Sequence, residues 1–153
     1  MKVDVVETTP EILDELDELA RDIDRIEVWY QTGQNLRDCL EISFDHSTVC
    51  KAGYGDGVLG CVWGVCLADI REKRGVPWLI GTDTLEAHAI PFLRNCCYHL
   101  NEMKNGYDYL SNDVYAENKT SVRWLRWMGF KFGEARPFGP FLQPFHHFTW
   151  RRE

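Results

Sequence analysis

The stretch ENKTSVRWLRWMGFKF, residues 117–132, reads as a short helix that runs into a strand. Asn118 can cap the helix, because its side-chain oxygen accepts from an orphan N–H of the first turn. Ser121 keeps that turn slim, while Val122, Trp124, Leu125 and Met128 supply the apolar positions. Gly129 permits the left-handed backbone that ends the helix, and residues 130–132 follow as strand. A helix that feeds a strand in this way closes an α/β domain.

Upstream, residues 107–115 read as a strand, and residues 91–104 as a helix carrying Phe92, Cys96, His99, Leu100 and Met103. Before that helix, residues 78–81 form a short apolar strand behind the charged connection at residues 71–75. Residues 47–54 and 58–66 are rich in β-branched and aromatic side chains, and Gly55, Asp56 and Gly57 between them suit a tight hairpin. At the N-terminus, residues 2–7 alternate as a strand. Thr9 then offers a helix cap and Pro10 a first helical position. Ile12, Leu16, Leu19 and Ile23 give the first helix an apolar stripe, and a second short helix is expected before Phe44, in a segment broken by Gly33. Downstream of residue 132, a Gly- and Pro-rich turn leads to a last strand at residues 145–150. Strand, helix, strand units in the second half imply a partly parallel sheet covered by helices.

A chain of 153 residues, 44% hydrophobic and 13% aromatic, can bury the core of one compact domain, expected over residues 1–153 with no linker. No stretch approaches the roughly 18 apolar residues of a membrane span, and the N-terminus lacks the basic start and apolar run of a secretory signal. A soluble, intracellular protein is expected. Its six cysteines lack CxxC pairing and scaffold density, so buried thiols are expected and a metal site is not. The net charge of -7 argues against nucleic-acid binding. Thirteen of the 24 acidic residues lie in the first 45 positions, whereas seven Lys or Arg face two acids from Lys119 onward. Such an asymmetry suits either an anionic cofactor beside the C-terminal half or a solvated surface.

Counted from Asn118, the small residue at Ser121, the apolar helix and Gly129-Phe130 resemble the N-x-x-(A/S) to G-F segment of the GNAT acyltransferase superfamily. The order of elements over nearly the whole chain is similar to that fold. The resemblance implies an α/β (α+β) class, a single GNAT-like domain with a mixed sheet of about six to seven strands and about four flanking helices. It implies acetyl-CoA as cofactor, held between the fourth and fifth strands. Ile80, Gly81 and Thr82 would lie on one side, and Asn118 and Ser121 on the other. It also implies transfer of an acetyl group to an amine, either on a protein or on a small polyamine. Residues 78–129, through Asp83, Asn118, Ser121 and Arg123, further resemble GNAT-like proteins of short-tailed bacteriophages that are grouped with an internal virion protein. That resemblance implies a protein of the host cytoplasm or the virion.

Two departures from the family pattern bear on activity. Family members carry a (Q/R)-x-x-G-x-(G/A) loop after the fourth strand, whose N–H groups hold pyrophosphate. Here the segment from Gly81 to Pro91 has no further glycine, only Ala87 and Ala89. Leu125 stands where many members place an acid tyrosine, so Tyr115 or Tyr109 would have to substitute unless both simply pack. Glu86 and His88 are the candidate general bases, and each equally fits an exposed loop residue or helix cap. Asp83 reads as a loop brace, and His146 and His147 lack partners at metal-ligand spacing. Trp63 and Trp78 are expected in the core. Trp124 or Trp127, if turned into the cofactor cleft, would keep the acyl donor out. The competing reading is a GNAT-like domain without catalysis, serving as a virion component or a binder of a host protein through its acidic N-terminal third and aromatic residues 138–148.

Overall fold

The computed structural model describes residues 1–153. Its strands are β1 (Val3–Glu7), β2 (Ser47–Gly55), β3 (Val58–Asp69), β4 (Arg74–Gly81), β5 (Tyr109–Tyr115), β6 (Lys131–Phe132), β7 (Arg136–Phe138) and β8 (Gln143–Arg151). Its helices are α1 (Pro10–Leu19), α2 (Asp22–Thr32), α3 (Leu36–His46), α4 (Asp83–Ala87), α5 (Ala89–Asn95), α6 (Cys97–Asn101) and α7 (Lys119–Trp127). No helix is long and apolar enough to cross a membrane.

Local chemistry sets these boundaries. Thr9 caps α1 by accepting from the Ile12 N–H at 3.3 Å, with Pro10 behind it at the first helical position. The helix buries Leu13 and Leu16, and the turn after it buries Ala20. The stripe expected from sequence ran one position out of phase, since Leu19 is exposed and Ile23 falls on the next helix. Gly33, at φ 73°, ends α2, and the Asn35 side chain starts α3 by accepting from the Asp38 N–H at 2.9 Å. Two helices therefore stand where one was expected. Asp56 (φ 49°) and Gly57 (φ 81°) make the two-residue turn between β2 and β3. The expected helix over residues 91–104 is divided into α5, α6 and a 3-10 turn. The Gly- and Pro-rich turn contains β7, which was not expected.

The eight strands form one mixed sheet in the order β1-β2-β3-β4-β5-β8-β6, with β7 also paired to β8. All neighbours run antiparallel except β4 and β5, which run parallel. That parallel pair touches only at Arg74 with Tyr109 and Gly75 with Leu110, and then the strands separate. Side chains alternate across the sheet, so Cys61, Trp63 and Val65 enter one core with Phe92, Leu110 and Trp124. Val62 and Ile80 enter the other with Leu13, Leu16, Leu36 and Leu40. The six cysteines are free thiols, and neighbouring Cys96 and Cys97 diverge, one buried and one exposed.

Phe92 explains a run of small residues on β2 and β3. A methyl placed on Gly53 would lie 3.1 Å from its ring, one on Gly55 2.9 Å, and one on Gly60 would overlap the ring outright. Gly60→Ala should therefore destabilise the protein by about 1–3 kcal/mol through overpacking, and Phe92→Leu in the same chain should recover part of that loss. Urea unfolding of both variants checks this. An unchanged midpoint in Gly60→Ala would contradict the packing.

Candidate active site

The separation of β4 from β5 is the feature that makes a site. Asn112 props the strands apart just past their last paired residues. Its Nδ2 donates to the Pro77 carbonyl at 2.9 Å, and its Oδ1 accepts from the Asp113 N–H at 2.7 Å and from Gln31 Nε2 at 3.1 Å. Along β4, Thr82 turns toward β3, its N–H donating to the Gly60 carbonyl at 2.9 Å and its hydroxyl to the Leu59 carbonyl at 2.8 Å. Antiparallel alternation turns Ile80 the same way, opposite Val62. Leu79 and Gly81 consequently face the gap. Leu79 has no strand partner on the β5 side. The edge at Gly81 is covered by the turn between α1 and α2: its carbonyl accepts from the Arg21 N–H at 3.3 Å, and its N–H donates to Asp24 Oδ2 at 3.2 Å.

A buried polar network fills the space between this turn and the start of α7. The Arg21 guanidinium donates to Asp24 through Nη2 at 2.7 Å and Nε at 3.1 Å, and to Ser121 Oγ at 2.9 Å. Asn118 caps α7 with its Oδ1 while its Nδ2 donates to Asp24 at 3.0 Å and to Glu27 at 3.1 Å. Glu27 also accepts from the Tyr115 N–H at 2.9 Å. Arg21, Asp24 and Asn118 are 3%, 1% and 1% exposed, so removing one partner would strand a charge away from water. The guanidinium lies 4.4 Å over the Trp124 ring, and Trp124 and Leu85 together pack against Gly81. Arg21 Nη1 and Trp124 Nε1 are buried donors without an acceptor.

Burial raises the Asp24 carboxyl above its ordinary value, and the Arg21 guanidinium offsets only part of that rise. With four N–H donors aimed at it, Asp24 carries the charge of the carboxyl pair. Burial, with the Asp24 charge beside it, pushes Glu27 up to about 8. Glu27 therefore changes charge close to neutral pH, and it does so on the wall of a cavity of about 310 Å³. That cavity extends from the gap, between Leu79 and Val114, toward Leu36 and Leu40 on α3.

The sequence candidates divide between these places. Gly81, Asn118 and Ser121 meet in the buried network, whereas Ile80 and Thr82 spend their backbone groups on β3. Glu86 and His88 are exposed on and just after α4, and neither lines the cavity. Tyr115 ends β5, its ring edge-on to Tyr30 at 5.3 Å, and burial raises its phenol. Tyr109 sits at the paired end of β5 under Arg151. His146 meets the Gly133 carbonyl, and His147 pairs with Asp113. Trp63 is buried in the core, and Trp78, half-buried, bonds Ser47. Trp124 is the indole turned inward, while Trp127 faces solvent at 38% exposure.

Arg21, Asp24 and Glu27 were not singled out in the sequence, although a signal exists. With Gln31 they recur at intervals of three or four from the cap of α2 along the helix, the spacing of one helix face, while apolar Ile26 and Trp29 lie on another. The helix turns this polar face inward beside buried Val28, and Ile26 and Trp29 are 43% and 47% exposed.

No family profile matches the sequence, and no curated protein is similar to it in sequence. Solved structures are similar in fold. Spermidine N-acetyltransferase from Vibrio cholerae, in complex with CoA and spermine, shares 12% identity at a TM-score of 0.69, over 97% of this chain and 95% of that one. A putative acetyltransferase from Salmonella typhimurium, with its cofactor acetyl-CoA, shares 8% identity at a TM-score of 0.71, over 100% and 95%. A GNAT superfamily phosphinothricin acetyltransferase from Sinorhizobium meliloti, in complex with acetyl-CoA, shares 10% at 0.69, over 99% and 89%. The chain thus has the GNAT fold, an α/β arrangement with a mixed central sheet.

The raised carboxyl of half-buried Glu27 has a measurable consequence for stability. Glu27 titrates at 4.5 when unhindered and at about 8 here, so the folded state holds an extra proton between those values. Its contribution is complete below about 4.5 and is lost as pH rises through about 8. The urea midpoint should therefore fall between pH 5.5 and 8.5, and Glu27→Gln should flatten that slope and be the more stable protein at the alkaline end. Parallel slopes for the two proteins would assign the titration to another group.

Proposed function

We propose that this chain is an N-acyltransferase that moves an acetyl group from acetyl-CoA to an amine at the gap between β4 and β5. The observation that carries this reading is Glu27, a carboxyl tuned near neutral pH on the wall of a cavity that meets the gap at Leu79. The acyl end of the donor finds a suitable partner for its carbonyl oxygen in the Leu79 N–H, which has no strand partner on the β5 side. Bound there, acetyl-CoA supplies the thioester carbonyl that an amine attacks, with the thiol as leaving group.

The residues of the chain have distinct tasks. An amine arrives protonated and must lose a proton before it can attack, and ionised Glu27 accepts it. Asn118 and the Tyr115 N–H hold that carboxylate in place. Tyr115 keeps its phenolic proton because burial raises it, but its ring does not line the cavity, and its contribution to the base is its backbone N–H on Glu27. Glu86 and His88, exposed and off the cavity, are left with surface roles in this reading.

A second reading, a GNAT-fold domain that binds a protein without catalysis, rests on two specific observations. Leu85 and Trp124 close over Gly81, and the segment after it lacks glycines for a phosphate nest. In addition, Trp29 stacks on Phe141 at 5.5 Å, and with Ile26 and Leu142 it exposes an apolar patch suited to a protein partner. In the phage setting implied by the sequence, that partner is a host protein or a virion component, and mass spectrometry of purified particles tests the latter.

Calorimetric titration with acetyl-CoA and with CoA separates the two readings. The enzyme reading expects saturable binding, weakened by Asn118→Ala, and no binding at millimolar ligand would overturn it. With an amine acceptor, kcat/KM should rise with pH through about 8, as the base ionises. Glu27→Gln should lose that rise and about a hundredfold in rate.

A further inference from the structure

We infer that the cavity behind the β4 and β5 gap takes a small amine with one positive charge and an apolar body, its ammonium paired with Glu27. The inference deepens the proposed function by naming the acceptor, and it stands on the make-up of the cavity wall.

The sign of the ligand comes first. No Lys or Arg lines the cavity, and its acids are Glu27 and Asp113. Asp113 is already engaged, accepting from His147 Nδ1 at 3.0 Å. The charged groups facing Glu27 are Asp24 and Arg21, and they are committed to each other. Glu27 is thus the lining carboxyl left without a Lys, Arg or His partner, and it can balance a single ammonium. An anion would find no cation on the wall and would oppose the ionisation of Glu27.

The body of the ligand follows from the remaining wall. Val28, Leu36, Leu40, Val114, Phe130 and Phe148 are apolar, and a second ammonium against them would be desolvated without a partner. A polyamine is disfavoured on that ground. A peptide amine is disfavoured on a related one, because its amide groups need partners and two of the lining amides already have theirs: Asn112 bonds Pro77, and Gln31 bonds Asn112. The volume of about 310 Å³, at ~30 Å³ for each water-sized group, admits on the order of ten heavy atoms. A phenyl or alkyl group on a short aminoalkyl arm has that size and polarity.

Binding also has a proton signature. Alone, Glu27 is largely protonated at pH 7, and an ammonium beside it favours the ionised form, so complex formation expels a proton into the buffer.

The test is calorimetry on the full chain, without acyl donor, using 2-phenylethylamine, spermidine and 3-phenylpropionate in two buffers of different ionisation enthalpy. Phenylethylamine should bind about tenfold more tightly than either of the others, release close to one proton, and lose about tenfold in affinity in Glu27→Gln. Equal binding of spermidine, tighter binding of phenylpropionate, no proton release, or no phenylethylamine binding at millimolar concentration would each overturn the inference. The proton measurement uses the unaltered chain, so it decides even if the variant does not fold. Amine binding without any acetyl transfer would sink the enzyme reading and leave this one standing. Acetyl transfer with no preference for apolar amines would do the reverse.

Discussion

The ion pair between Arg21 and Asp24 is the constraint on which the site depends. Both groups are removed from water, a cost that is recovered only when each hydrogen-bonding position is filled. Filling them draws in three separate parts of the chain: the end of β4 through Gly81, the start of α7 through Asn118 and Ser121, and α2 through the pair itself. Each of those contacts fixes something else. Gly81 is tied to the turn after α1, Asn118 is oriented so that one side of its amide caps α7 and the other reaches Glu27, and Arg21 is set over the Trp124 ring.

Glu27 owes its character to the same pair. A carboxyl one helical turn from a fully solvated aspartate would ionise in the ordinary range. Here Asp24 is saturated with donors and holds its charge, while Arg21 is turned toward Asp24 and Ser121. Glu27 meets burial and a neighbouring negative charge, with only Asn118 and a backbone N–H on the other side of the balance. The polar network thus does more than knit helices to the sheet. It leaves one proton on the cavity wall that is easily moved at neutral pH.

Much of the fold was legible because local signals and tertiary needs agreed. Asn118 and Gly129 mark the ends of α7 by capping chemistry that works in any context, and Asp56-Gly57 dictates its hairpin through backbone angles alone. What misled were segments in which tertiary contacts outvoted pattern. Ile12, Leu16, Leu19 and Ile23 lie at helical spacing, yet α1 stops at Leu19 so that Ala20 can bridge to Thr82. The candidate site was only half visible for the same reason. Asn118, Ser121 and Gly81 could be found from their places in a familiar segment order. Asp24 and Glu27 lie in a helix, capped by Arg21, whose charged residues would ordinarily face water, and their shared face does not by itself say that it is turned inward.

That inversion links the two faces of α2 and bears on how the molecule is used. Turning Arg21, Asp24 and Glu27 inward forces Ile26 and Trp29 outward, where the turn after β7 covers part of the exposed surface by stacking Phe141 on Trp29. Gly139, with φ 77°, passes so close to the Tyr30 carbonyl that no side chain would fit there, and Pro140 packs against Gly33. The β7 turn is therefore seated on α2 by close contact. A chain selected only for a stable core would have no reason to turn an arginine and two acids inward along α2 and its cap while exposing Ile26 and Trp29 of that helix. The arrangement is economical if the inward face must present a titratable carboxyl to the gap between β4 and β5. On that view the outward aromatic patch is a consequence of building the site, and its partial cover by the β7 turn is what keeps the consequence tolerable.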